Sequence, residues 1–310
     1  MLDRRVGQQL LVVGPGWLGR AAALALSAEG ADVWTLQRSA ITPPLTSRPV
    51  AGVDGAYGTI TALRGDIRTG VEPSDWLSAL PNRLDGIVLC IAPSRAAGDS
   101  HQSTYPAAVR GVLALARARA CRWLVYTSST GVYGRSDGGE SRESDTLVAH
   151  DERQQALIDA ERLMLNEVSE AASHTVLRVA GLYGPGRDPA ARFRTAVPSG
   201  ADDVWCNFSW RDDVISAIAF VMTDASAVGT SRVYNCADGT PLRSSTIARA
   251  LGAPDVAEGA SFPPARSPSG RSNQRIVTDA LRATGWSPQM PTVLDGLRAL
   301  GHHPTEDATP

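Results

Sequence analysis

The sequence predicts an α/β protein with a doubly wound parallel sheet and a smaller, discontinuous C-terminal part. Three observations lead to this prediction. Short apolar runs alternate with Ala- and Leu-rich helical segments over the first 180 residues. The first apolar run ends in a glycine-rich turn that opens a helix. Beyond residue 180 the alternation gives way to proline-rich loops.

The predicted elements follow in regular order along the chain. Apolar strands are predicted at 9–13, 32–37, 59–63, 86–92, 122–127 and 174–179. Helices are predicted at 17–29, 74–80, 106–120 and 151–170. Residues 39–58 are a predicted loop because they hold three prolines and several glycines. Further on, a helix at 212–222 and a strand at 231–235 return to the sheet.

Composition and charge exclude several functional classes. The net charge is -2 without a block of like charges, which argues against a nucleic-acid surface. The 4 cysteines form no C-x-x-C pair and the 5 histidines show no ligand spacing, so no metal site is predicted. No segment reaches the ~20 apolar residues of a membrane span. These features are typical of a cytoplasmic protein that acts on a small molecule, without a nucleic-acid or membrane partner.

The glycine-rich turn predicts dinucleotide binding. Gly14-Pro15-Gly16-Trp17-Leu18-Gly19 reads G-x-G-x-x-G, and it follows a strand and opens a helix. In such a turn Gly14 permits the bend, Gly16 lets a pyrophosphate approach the backbone, and Gly19 packs the helix on the sheet. The helix N-terminus, at Trp17 and Leu18, offers N–H donors to the phosphates.

The end of the second predicted strand indicates which cofactor binds. An NAD enzyme usually carries Asp or Glu there, about 20 residues past the glycines, to bind the ribose hydroxyls. This chain has Gln37 and Arg38 instead. A guanidinium suits the 2′-phosphate of NADP. NADP is therefore predicted, with NAD left open.

Further motifs follow one another across nearly the whole chain. They are Val125 to Gly134, Leu177-Arg178, Gly181 to Gly186, Trp210 to Val214, Tyr234 to Cys236, Thr278-Asp279, Gly285 to Pro288 and Asp295 to Leu297. In sequence and in order these motifs resemble the extended short-chain dehydrogenase/reductases, the NAD-dependent epimerase/dehydratase family. The resemblance implies a Rossmann domain at 1–180 with returning elements at about 205–236. It implies a substrate-binding part at 181–204 and 237–302, and residues 303–310 are predicted as a flexible tail.

The resemblance also implies roles for individual residues. Ser129 matches the family's catalytic Ser/Thr, which hydrogen-bonds the reacting oxygen, and Tyr133 follows it in the Val-Tyr-Gly motif. Cofactor contacts are implied for the pair after the third strand, for the turn after the fourth strand and for the later glycine-rich loop. These residues are Asp66, Ile67, Ala92, Pro93 and Tyr183.

One family motif is missing. The family writes Tyr-x-x-x-Lys shortly before an Ala-Glu pair, which is present here as Ala160-Glu161. Counting back places Leu157 at the Lys position and Arg153 at the Tyr position, and the chain contains no lysine at all. The usual proton relay is therefore absent, although Arg153 stays a candidate for orienting substrate.

Three functional hypotheses stay open. The first is an NADPH-dependent reductase whose substrate needs little acid, with Ser129, Tyr133 or Arg153 as orienting groups. The second is a nucleotide-sugar epimerase or dehydratase, whose pyrophosphate would be held by arginines in the loop-rich part. These are Arg187, Arg192, Arg194 and Arg211. The third is a regulator that binds NADP without chemistry. Family analogy also suggests a homodimer, and Leu157, Ala160, Leu163 and Met164 form an apolar stripe that suits either a dimer interface or core packing.

Overall fold

A computed structural model describes residues 5–39, 58–94, 98–167, 172–224, 229–255 and 272–305. Its strands are β1 (Gln9–Val13), β2 (Asp32–Gln37), β3 (Ile60–Arg64), β4 (Gly86–Leu89), β5 (Trp123–Ser129), β6 (Glu140–Ser141), β7 (Ser173–Val179), β8 (Gly181–Tyr183), β9 (Trp205–Cys206), β10 (Phe208–Trp210), β11 (Ser231–Cys236), β12 (Leu242–Arg243) and β13 (Arg275–Ile276). Its helices are α1 (Trp17–Ala28), α2 (Asp75–Ser78), α3 (His101–Ala118), α4 (Glu152–Asn166), α5 (Arg211–Val221), α6 (Ser244–Ala250), α7 (Asp279–Ala283) and α8 (Val293–Ala299). Within these ranges, none of the helices has the length and apolar character needed to cross a membrane.

A seven-stranded sheet with the order β11-β7-β5-β4-β1-β2-β3 forms the centre of the fold. Strand β1 pairs in parallel with both β2 and β4. Strand β2 pairs in parallel with β3, and β4 pairs in parallel with β5. The apolar run of β1 is fully buried from Leu10 to Val12. The order 3-2-1-4-5 is that of a doubly wound dinucleotide-binding sheet, which confirms the predicted fold class.

Most element boundaries agree with the prediction within about two residues, but α3 begins five residues early, at His101. The cause is a reciprocal capping box that the sequence reading missed. The hydroxyl of Ser100 accepts the backbone N–H of Ser103, and the hydroxyl of Ser103 accepts the backbone N–H of Ser100. Pro106, the predicted start, therefore lies inside the helix. The predicted loop at 39–58 falls mostly outside the described residues, as does most of the predicted tail at 303–310.

The chain divides into two compact units. The first comprises Met1–Ser128, Gln155–Leu177 and Ile215–Val233, and the second comprises Ser129–Gln154, Arg178–Val214 and Tyr234–Pro310. These boundaries differ from the predicted ones, because the segment after β5 and strands β9 and β10 belong to the second unit. Strand–helix alternation predicts a sheet, but it does not show with which core a loop packs.

The second unit has its own small core. Short strand pairs β8–β10, β9–β12 and β6–β13 frame it. The buried aromatic side chains of Tyr183, Phe193, Phe208 and Trp210 pack there with residues of α6 and α8. A unit of this kind supplies its own rigid loops, on which binding residues can be carried.

Candidate cofactor and active site

The glycine-rich turn has the geometry that its sequence predicts. Gly14 adopts a φ of +80°, and its N–H donates to the carbonyl oxygen of Leu36 at 3.0 Å. A Cβ at this position would lie 2.5 Å from the carbonyl oxygen of Cys90. Gly14 is thus required by both its backbone conformation and the close approach of the loop after β4.

Gly16 and Gly19 differ in what surrounds them. A Cβ on Gly19 would lie 2.5 Å from the carbonyl oxygen of Gly14, so this glycine lets α1 pack on the turn. A Cβ on Gly16 would meet nothing within 4 Å, and Gly16 is the N-cap residue of α1. Beside it, Trp17 and Leu18 form the half-buried first turn of the helix. The turn therefore leaves room for an anion at a helix N-terminus, which fits the pyrophosphate of a dinucleotide.

Arg38 is held by a carboxylate that sequence reasoning did not identify. Its Nη1 lies 3.0 Å from Oδ1 of Asp99 and its Nη2 lies 2.5 Å from Oδ2, in a bidentate pair. The side chain of Arg38 stays 36% exposed, whereas that of Asp99 is only 6% exposed. The neighbouring Gln37 donates its amide to the carbonyl oxygen of Ser39 at 2.6 Å. Arg38 thus lies at the predicted place, but its charge is already paired.

Asp66 and Ile67 have local structural duties after β3. Asp66 accepts the backbone N–H of Arg68 at 3.0 Å and pairs with the Arg68 guanidinium at 2.6 Å. Burial alone would raise the pKa of Asp66, but the bonds from Arg68 outweigh burial and lower it. Ile67 is buried beneath α3, so its side chain packs in the core. Ala92 and Pro93 follow β4 with surface that is accessible to a ligand.

Two adjacent serines at the end of β5 differ in their burial and in their hydrogen-bond partners. Ser128 is buried, and its hydroxyl donates to Oε1 of buried Glu161 at 2.5 Å, which fixes the strand end to α4. Ser129 is half-buried, and its Oγ accepts the backbone N–H of Gly131 at 3.1 Å. Side chains alternate across a strand, so the two hydroxyls point to different sides. The bond from Gly131 fixes the Ser129 oxygen and leaves its proton for another acceptor.

Tyr133 lies in a buried polar network of the second unit. Its hydroxyl donates to Oδ1 of Asn235 at 2.7 Å and accepts from Nη1 of Arg178 at 2.9 Å. The amide of Asn235 in turn donates to the carbonyl oxygens of Ser141 and Val277. Burial raises the pKa of Tyr133 to about 12. Because its proton is committed to Asn235, the geometry gives Tyr133 a structural role instead of the predicted orienting one.

We expect Tyr133→Phe to lower the free energy of unfolding by ~1–3 kcal/mol, because it removes a partner from buried Arg178 and buried Asn235. Chemical denaturation measures this loss, and an unchanged unfolding midpoint would contradict the network.

Tyr183 is a core residue, which corrects its assignment as a cofactor contact. Its exposed fraction is 1%, and its ring packs edge-on against Phe208 and Trp210 at centroid distances of 5.4 and 5.2 Å. Helix α8 passes so closely that a Cβ on Gly296 would lie 2.0 Å from the Tyr183 hydroxyl. A side chain enclosed in this way cannot contact a ligand. The predicted loop position of Tyr183 is also wrong, because this residue ends strand β8 and pairs with Trp210.

Among the described residues, the buried hydroxyl of Tyr183 has no hydrogen-bond partner. We therefore expect Tyr183→Phe to raise the free energy of unfolding by about 1 kcal/mol, since an unpaired buried polar group is removed. The same denaturation experiment serves as the matched control for Tyr133→Phe, and a clear loss of stability would contradict the assignment.

Helix α4 carries Arg153 and Leu157, the residues at the positions where the resemblance places Tyr and Lys. Arg153 is exposed in the first turn of α4, where Asp151 accepts the backbone N–H of Gln154 at 2.7 Å. Leu157 is buried, with an exposed fraction of 3%. Of the predicted apolar stripe, Leu157, Ala160 and Met164 are buried within the chain and Leu163 is partly buried. The homodimer expected from that stripe stays a prediction.

The four candidate phosphate-binding arginines lie at the surface or are only partly buried. Arg192 stacks on the ring of Phe193, Arg194 lies 2.7 Å from His302, and Arg211 pairs with Asp212 at 2.8 Å. These contacts do not direct the guanidinium groups toward one common position where a pyrophosphate could bind.

A concavity of about 550 Å³ lies in the second unit, beside the turn that follows β5. It is lined by Tyr133, Gly134, Arg135, Ser136, Asp137, Asp145, Thr146, Val148 and His150. Nε2 of His150 lies 2.9 Å from the carbonyl oxygen of Gly134, which holds the ring at the edge of this space. Sequence reasoning missed His150, although its place just before α4 could have drawn attention to it.

Comparison with known proteins agrees with this geometry. The sequence profile described as the NAD dependent epimerase/dehydratase family matches residues 10–237. The Escherichia coli K12 protein YeeZ is 32% identical over 252 residues, which cover 79% of this chain and 84% of YeeZ. A Methylobacillus flagellatus protein classed as an NAD-dependent epimerase/dehydratase superimposes with a TM-score of 0.69 at 26% identity, over 94% of this chain and 97% of its own. The dTDP-glucose 4,6-dehydratase of Bacillus anthracis, solved with NAD, gives a TM-score of 0.69 at 18% identity, over 94% and 95% of the two chains.

Proposed function

Because the chain belongs to the NAD-dependent epimerase/dehydratase family, we propose that it is an oxidoreductase that binds NADPH in preference to NADH and reduces a small-molecule substrate. The observation that carries this proposal is the glycine turn of Gly14, Gly16 and Gly19, which has an open helix start beside it. The reductase assignment depends on the residues that follow β5 and on α4.

The residues near the turn would each contact a different part of a bound dinucleotide. The backbone from Gly14 to Gly19 would receive the pyrophosphate, and Arg38 would lie toward the adenosine ribose. By family analogy Asp66 and Ile67 would lie toward the adenine, and Ala92 and Pro93 would lie toward the nicotinamide. When bound, this cofactor supplies hydride transfer, while the protein supplies binding, orientation and electrostatics.

The available side chains favour a reduction that needs little acid from the protein. Ser129 offers a positioned hydroxyl proton, whereas the proton of Tyr133 is engaged with Asn235. Arg153 can donate hydrogen bonds but is a poor proton source. Leu157 is buried and cannot replace a lysine. A conjugated alkene or a preformed iminium demands orientation more than proton transfer, so these substrate classes are favoured.

A screen that follows the absorbance of NADPH tests this function. We expect consumption with α,β-unsaturated carbonyl compounds or cyclic imines, no consumption with nucleotide sugars, and less turnover with NADH. The Gly16→Val variant serves as the blank, because it should not bind the cofactor. Turnover of a nucleotide sugar with bound NAD would contradict the reductase assignment.

A nucleotide-sugar epimerase or dehydratase is the second candidate. The exposed arginines of the second unit, among them Arg187, favour it because they could receive a pyrophosphate. Oxidising a sugar hydroxyl requires a base, however, and the usual tyrosinate and its lysine are absent from α4. A regulator that binds NADP without chemistry would show cofactor binding and no turnover in the same screen.

We expect Arg38→Ala to weaken NADPH binding by ~1.5–3 kcal/mol, because one charge-assisted bond to the 2′-phosphate is lost. NADH binding should change little, since NADH has a hydroxyl at that position. Isothermal titration calorimetry with both cofactors measures the difference. Equal affinities of the unmodified protein for NADPH and NADH would remove this argument.

A further inference from the structure

One carboxylate, that of Asp99, connects the three loops that follow β2, β3 and β4. Its Oδ1 accepts Nη1 of Arg38 and Nη1 of Arg68, each at 3.0 Å. Its Oδ2 accepts Nη2 of Arg38 at 2.5 Å and the backbone N–H of Ser94 at 3.1 Å. Parallel strands bind ligands at their carboxyl ends, so Asp99 lies among the loops that surround the adenosine part of the proposed cofactor site.

Asp99 is an anion at neutral pH. The hydrogen bonds from Arg38, then those from Ser94 and Arg68, hold the pKa of its carboxyl well below the ordinary value despite burial. A buried carboxylate with four donors keeps its position as well as its charge. The negative charge next to Arg38 is therefore a fixed property of the loop cluster, by which we mean Arg38, Asp66, Arg68 and Asp99.

The charges of the loop cluster balance. Arg38 and Arg68 carry two positive charges, and Asp66 and Asp99 carry two negative charges. Among the described residues of these loops, Arg64, whose Nε donates to the carbonyl oxygen of Arg38 at 3.2 Å, adds a further cation. An incoming phosphate dianion thus meets an arginine whose attraction is partly offset by Asp99. A neutral ribose hydroxyl is not affected in this way.

We propose that Asp99 is a specificity-determining residue that limits the preference of this chain for a 2′-phosphate over a 2′-hydroxyl. This inference rests on the proposed cofactor function. Asp99 keeps Arg38 in place but offsets part of its charge, so that the preference for NADPH over NADH is smaller than Arg38 alone would give. Removing the negative charge while keeping the shape should increase that preference.

The test compares the unmodified protein with Asp99→Asn in calorimetric titrations of NADPH, NADH and two fragments, adenosine 2′,5′-bisphosphate and AMP. The fragments isolate the 2′-phosphate and need no enzymatic activity. We expect Asp99→Asn to bind both 2′-phosphorylated ligands about tenfold more tightly, equivalent to ~1.4 kcal/mol, with NADH and AMP changed less than about twofold. The asparagine oxygen can still accept from an arginine, so the loops should remain joined.

Arg38→Met provides the matched background. If Asp99 acts through Arg38, then adding Asp99→Asn to Arg38→Met should change the preference for 2′-phosphorylated ligands less than about twofold. A full gain in that background would overturn the proposal, because the effect would not depend on Arg38. Should Asp99→Asn lose its thermal unfolding transition, Asp99→Ser, which keeps a polar partner for Ser94, carries the same test.

The remaining outcomes separate this inference from the proposed function. If Asp99→Asn weakens or leaves unchanged the binding of 2′-phosphorylated ligands while NADPH and NADH still bind, Asp99 is only a loop clamp and the proposal fails alone. If the unmodified protein binds none of the four ligands, the cofactor function fails as well.

Discussion

Replacing Gly16 by valine should leave the protein folded and reduce dinucleotide binding below detection. The substitution is compatible with the fold because Gly16 has a φ of -72° and its Cβ would meet nothing within 4 Å. The added side chain would instead occupy the space that a pyrophosphate needs to reach the first turn of α1. Thermal unfolding and calorimetry with NADPH and NADH measure the two effects separately.

The neighbouring glycines supply controls with a different expected result. Gly14→Ala places a Cβ 2.5 Å from the carbonyl oxygen of Cys90 at a φ of +80°, so it should destabilise the fold itself. Gly19→Ala meets the carbonyl oxygen of Gly14 at 2.5 Å and should also lower the unfolding temperature. If Gly16→Val still bound NADPH normally, the turn would have no role in cofactor binding.

The first unit could be predicted from sequence because its signals are local. Strand β1 is a continuous apolar run, and the G-x-G-x-x-G spacing fixes where the turn begins and α1 starts. The capping box of Ser100 and Ser103 is also local, and its oversight misplaced the start of α3. A more careful reading of the Ser-x-x-Ser spacing would have corrected it.

The side-chain roles could not be predicted because they depend on distant partners. Tyr133 and Tyr183 both belong to glycine-containing motifs, yet one is hydrogen-bonded to Asn235 and the other is packed against Gly296. Arg38 was placed correctly at the end of β2, but the sequence does not indicate that Asp99, 61 residues away, neutralises it. Motif resemblance predicts where a residue lies along the chain, and burial and pairing decide whether it can act.

The catalytic assignment depends on the comparison of Ser129 with Arg153. We expect Ser129→Ala to lower kcat by a factor of ~10²–10³, the usual cost of losing one positioned donor. Arg153→Leu should act mainly on KM, because an exposed arginine can contact an anionic substrate but does not readily supply a proton. Steady-state kinetics with the first substrate found in the NADPH screen measure both effects.

Two further variants separate the chemistry of Ser129 from its structural contact. Ser129→Ala also removes the acceptor for the Gly131 N–H, so part of its effect could be a disturbed turn. Ser129→Thr keeps the hydroxyl and should restore most of kcat, whereas an effect of the turn alone would also appear as a lower unfolding temperature. Ser128→Ala breaks the bond to Glu161 in the same strand and should reduce stability more than kcat. If Arg153→Leu instead eliminated kcat while Ser129→Ala were nearly silent, the chemistry would depend on the arginine at the former tyrosine position.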